Sequence, residues 1–176
     1  LKDRRCLSAA IPEANLNRAM TTFIVIAVLT ALLAALSFAI RIRGYPFGTL
    51  GIERLDGIAN AATFVPVAAL YAFAAMLMMI APARAAGFVH ANAAAPLWFM
   101  ALALLATIVG LQAARLAFGD RGALPALLDW RFLFAAGVVA AHLVLDELRR
   151  NILLRTIFFI VFLAATLACL YWTFRL

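Results

Sequence analysis

Five apolar runs, separated by short polar breaks, dominate the pattern of hydrophobic and polar positions. The first reads MTTFIVIAVLTALLAALSFAI, from Met20 to Ile40. The second extends from Ile58 to Ala81 and contains Pro66. The third extends from Ala95 to Phe118, with Pro96 in its first turn, where proline is tolerated. The fourth covers Trp130 to Leu148 and the fifth Ile152 to Phe174. The apolar residues fall in continuous runs, not in amphipathic stripes, and roughly 20 apolar residues are what a ~30 Å hydrocarbon core asks of a helix. The pattern predicts an all-α integral membrane protein: a bundle of about five transmembrane helices joined by short loops. Run four is the exception in length. Its strictly apolar core, Phe132 to Leu145, is short for a full crossing, so it is read as a tilted span or a re-entrant helix.

The polar breaks organise the rest. Residues 1–19 form a polar N-terminal segment with an expected place at the interface, and residues 20–176 form one transmembrane domain. The longest connection, RIRGYPFGTLGIERLDG, is rich in helix breakers, and its TLGIERL stretch is expected to lie flat on the membrane. DELRRN joins runs four and five so tightly that the two helices are expected to be antiparallel neighbours. Trp98, Trp130, Tyr171 and Trp172 fall near predicted span ends, as in an aromatic belt at headgroup level.

Composition sharpens the class. The chain is 68% hydrophobic and 13% charged, with a mean hydropathy of +1.06. Its net charge of +7 is carried by residues at run ends, where Lys and Arg set topology and meet anionic headgroups. The expected partners are therefore the lipid bilayer and other membrane subunits or a second copy, with no nucleic acid. The N-terminal cluster Lys2, Arg4, Arg5 and Arg18 precedes the first span. This places the N-terminus in the cytoplasm and the chain in a bacterial inner membrane. Lys2 is the one lysine and lies outside every run, which excludes a Schiff-base lysine inside the membrane. Cys6 and Cys169 are expected at different depths and so unpaired.

Candidate chemistry is sparse. His142 interrupts VVAAHLVL and lies four residues before Asp146 and seven before Arg149, all on one helical face. The plain reading makes it an interfacial residue bonded to Asp146 or to a headgroup. The sharper one makes it a cofactor-binding residue, an axial ligand of haem or chlorophyll; otherwise no cofactor is implied. VVAAHLVL resembles the histidine-bearing span of bacterial light-harvesting polypeptides, though Val138 stands where that family has a small residue. No function is carried over on this likeness. His90 is read as a loop residue, so a haem held between two span histidines is not expected. Asn60, Thr63 and Tyr71 share a face of run two beside Pro66, and Gln112 and Arg115 sit a turn apart near the end of run three. These are candidates for lining a substrate path. Their alternatives are interhelical hydrogen bonding for the first group, and snorkelling or pairing with Asp120 for Arg115.

No acid lies in the interior of a span, and no catalytic, phosphate-binding or metal-ligand motif is present. Alanines recur at intervals of four: Ala27, Ala31 and Ala35; Ala68 and Ala72; Ala136 and Ala140; Ala164 and Ala168. Small faces let helices approach closely. The expected function is a non-catalytic membrane subunit, an accessory part of a respiratory, photosynthetic or transport complex. The alternatives are a small transporter, channel or transporter subunit, and a haem- or chlorophyll-binding protein using His142.

Overall fold

A computed structural model describes residues 3–145 and 151–175, with side chains from Asn17 onward. Eight α-helices carry the described chain, and no strand occurs among these residues. They are α1 (Asp3–Ile42), α2 (Pro46–Ile58), α3 (Ala61–Ile80), α4 (Ala83–Val89), α5 (Ala95–Ala117), α6 (Ala123–Leu127), α7 (Trp130–Ala140) and α8 (Ile152–Arg175). A π turn, His90–Ala94, welds α4 to α5, and a 3₁₀ turn, Ala141–Val144, extends α7. The DELRR part of the connection between α7 and α8, with its Asp146 and Arg149, lies outside the described residues, as do Lys2 and the side chains of Arg4, Arg5 and Cys6.

Local chemistry sets the boundaries. Gly44, at φ 83°, adopts the left-handed conformation that closes α1, and Pro46 opens α2 at a position where its missing N–H costs nothing. Asn60 caps α3: its side chain accepts from Thr63 N at 3.0 Å while the Thr63 hydroxyl faces the Asn60 N–H at 3.4 Å. Pro96 lacks the N–H that an α-helix would aim at the Asn92 carbonyl, and the π turn sits where that ladder is broken. The helix that was expected to begin at Ala95 therefore continues unbroken from Ala83.

Four stretches among the described residues are long and apolar enough to cross a membrane: Asn17–Ile42, Pro46–Ile80, Ala83–Ala117 and Ile152–Arg175. Trp130–Val144 is the short one, as the fourth run predicted.

Ring pairs fix the helix directions. Phe38, near the end of α1, stacks on Phe118, just past the end of α5, so these two run parallel. Phe64 and Phe132 meet near the starts of α3 and α7, so those two also run together. Along α8, Phe162 faces Tyr71 in the middle of α3, whereas Trp172 faces Trp130 and Phe134 at the start of α7. That makes α8 antiparallel to both α3 and α7. The antiparallel relation of α7 and α8 agrees with expectation, but α8 packs chiefly along α3.

The centre of the molecule is α3, enclosed by α5, α7 and α8, with α1 on α5. Phe64, Ala68, Tyr71, Ala72 and Ala75 are fully enclosed. Close approach of α1 to α5 depends on Gly110: a Cβ there would stand 2.3 Å from Ala27 O. The outward face of α1 exposes Leu29, Leu32, Leu33 and Leu36, a surface suited to lipid rather than water.

Candidate functional site

The polar chemistry of the interior gathers on His142. Its Nδ1 lies 3.0 Å from the Tyr71 hydroxyl, which is fully buried. One Trp98 ring stacks on the imidazole with centroids 4.4 Å apart and planes 18° from parallel. The His90 ring stacks on it as well, at 5.8 Å and 10°. Trp98 in turn donates its indole N–H to the Val139 carbonyl at 2.9 Å, which ties α5 to α7 one turn before His142. Phe162 closes the cluster edge-on against Tyr71. Five side chains from α3, the π turn, α5, α8 and the 3₁₀ turn thus converge.

The cluster places three residues that the sequence marks: His142, His90 and Trp98. His142 is expected near the end of a helix by its distance from Asp146; it lies in the 3₁₀ turn that follows α7, and Asp146 is outside the described residues. Tyr71 stands midway along the twenty residues of α3, roughly 15 Å from either end at 1.5 Å per residue. His142 meets its hydroxyl from the turn after α7. His90 is helical rather than in a loop, and it reaches the same cluster. The π turn explains how. Two α turns take about 7.2 residues, and a π bulge adds about one, so His90 and Trp98, eight apart, come onto one face. Trp98, expected at headgroup level, is buried instead.

The stack is not the geometry of two axial ligands. Metal–nitrogen bonds of ~2.0–2.1 Å would hold two imidazole nitrogens about 4 Å apart and facing each other. Here the planes lie over one another. Among the described residues no group of three His, Cys, Asp or Glu is placed to hold a metal ion. His90 Nδ1 is buried and has no hydrogen-bond partner among the described residues.

The other candidates disperse. Asn60 and Thr63 bond to each other and to the carbonyls of Asp56 and Ile58, as the start of α3. Gln112 is buried, with Oε1 unpartnered among the described residues. Arg115 forms an ion pair with Asp56 of α2, not with Asp120. Asp120 instead accepts from the Gly122 N–H at 2.9 Å, holding its own turn. Beside the Arg115–Asp56 pair is a cavity of about 530 Å³ at the far end of α1, α2 and α5. A second, apolar groove of about 180 Å³ runs between α1, α5 and α7, with Met20, Trp98, Ala136 and Ala140 in its walls.

No protein-family model, curated protein or solved structure matches the chain at a significant level.

Proposed function

We propose that the chain is a non-catalytic integral membrane subunit that packs into a larger membrane assembly. The observation that carries this reading is the groove between α1, α5 and α7. Its wall is apolar, and Ala136 is half-buried while Ala140 is exposed, so the small face of α7 is open. The small faces of α1 and α3 are used inside the fold: Ala27 lies against Gly110, and Ala68 and Ala72 are fully buried. An open small face on a short helix is a surface on which another helix gains contacts that lipid does not match. The His142 cluster fits the same role. It fastens the short α7 to α3 and α5 with two hydrogen bonds and stacked rings, which is structural work.

On this reading α1, α3, α5, α7 and α8 pass alternately through a bacterial inner membrane, with the N-terminus cytoplasmic. The antiparallel run of α8 against α7 supports opposite sides for the two termini. Native gel migration in mild detergent tests the reading: the chain is expected in a band well above its own 19.0 kDa, with fixed partner subunits. A second reading, a small transporter, is favoured by the charged cavity at the far end of α1 and α5. Solute flux in vesicles holding this chain alone would establish it.

A further inference from the structure

The cavity along α2, at the C-terminal ends of α1 and α5, sets Arg41, Arg115, Glu53, Asp56 and Asp120 around an aromatic floor. Phe38 and Phe118 stack at 5.3 Å beneath it, and the Arg41 guanidinium lies over Phe38 at 5.6 Å. Arg115 and Asp56 neutralise each other on one wall. Asp120 accepts from the Gly122 N–H and adds a second unpaired carboxylate to the rim, which further disfavours an anionic headgroup. Arg41 and Glu53 face the same cavity, both exposed and neither in an ion pair among the described residues. A guanidinium recognises an oxyanion and a carboxylate recognises an ammonium. The apolar residues flanking the cavity mark its level: Phe47 is 75% exposed, Tyr45 60% and Ile42 72%. Exposed aromatic and aliphatic side chains beside charges at a helix end are the chemistry of the membrane–water boundary.

We propose that this cavity binds a zwitterionic aminophospholipid headgroup, its phosphate on Arg41 and its ammonium on Glu53. Anionic glycerophospholipids carry the phosphate without the ammonium and leave Glu53 facing a like charge. The site therefore selects phosphatidylethanolamine over phosphatidylglycerol. The inference rests on the membrane reading above.

The test reconstitutes the full chain in vesicles of equal phosphatidylethanolamine and phosphatidylglycerol, extracts it gently, and measures the retained lipids by mass spectrometry. Retained phosphatidylethanolamine is expected to exceed its share in the vesicle. The enrichment is expected to fall roughly twofold to fivefold in Arg41→Gln and in Glu53→Gln, the size of an exposed ion pair. Arg54→Gln, on the same helix but outside the cavity, is expected to leave it unchanged. Helicity of each variant is checked against the parent, and exposure of both side chains makes loss of fold unexpected. Retention at the vesicle ratio, an equal fall in all three variants, or phosphatidylglycerol enrichment would overturn the proposal. So would displacement of the lipid by millimolar O-phosphoethanolamine, which would point to a soluble zwitterion. Release of the chain from membranes by alkaline carbonate would remove the membrane reading itself, a result distinct from lost selectivity in an integrated chain.

Discussion

His142 and Tyr71 are separated by 71 residues and joined by one hydrogen bond. Each stands out in the sequence as a polar group in an apolar run, yet no local pattern pairs them. Partners that distant are brought together by packing, so the sequence marks the residues and not the contact. The same holds for Arg115, whose partner Asp56 belongs to a connection that reads as interfacial. Trp98 is the clearest departure: an aromatic near a predicted span end reads as a headgroup anchor until the helix is seen to start twelve residues earlier. Removing the Tyr71 hydroxyl by Tyr71→Phe is expected to cost about 0.5–1.5 kcal/mol, the net value of one hydrogen bond. His142→Ala is expected to cost more, because an aromatic stacking contact worth ~0.5–1.5 kcal/mol is also lost. Denaturant titration in micelles measures both. The visible absorbance of the purified protein is expected to be identical before and after His142→Ala; loss of a chromophore band in the variant would restore the pigment reading.

Helices announce themselves by apolar length, and α3, α5 and α8 lie within a few residues of the runs that predicted them. What length does not encode is continuity. Pro96 reads as a helix start because proline is common there, whereas a π turn lets the helix pass through it. Nor does apolar length say which glycine is required. Gly110→Ala would drive a methyl group against the Ala27 carbonyl and separate α1 from α5, an overpacking cost of about 1–3 kcal/mol. Gly137, in α7, has nothing within 4 Å of its added Cβ, so Gly137→Ala is expected to be neutral or to stabilise by up to about 1 kcal/mol through helix propensity. Opposite signs for the two substitutions, read from the same unfolding titration, check the close α1–α5 contact. Equal effects would count against it.

At the scale of the molecule, the alternating directions of α1, α3, α5, α7 and α8 put the two ends of the chain at opposite ends of the bundle. A fluorescent reporter that matures only in the cytoplasm is expected to be dark when fused to the C-terminus and bright when fused to the N-terminus. Two bright fusions would mean that α7 turns back without crossing. The small-residue faces were legible in the sequence, but their use was not, because spacing alone cannot say whether an alanine faces its own fold or a neighbour. The structure separates Ala27, Ala68 and Ala72, which are spent internally, from Ala136 and Ala140 on the open groove. The most direct test of the subunit reading is therefore to replace Ala136 and Ala140 together by Leu, then compare the native mass of the membrane-extracted protein with that of the parent. The account predicts normal expression and membrane insertion, a parent that migrates within a larger assembly, and a variant that has left it. A parent that migrates alone, or a variant that stays in the assembly, would contradict it.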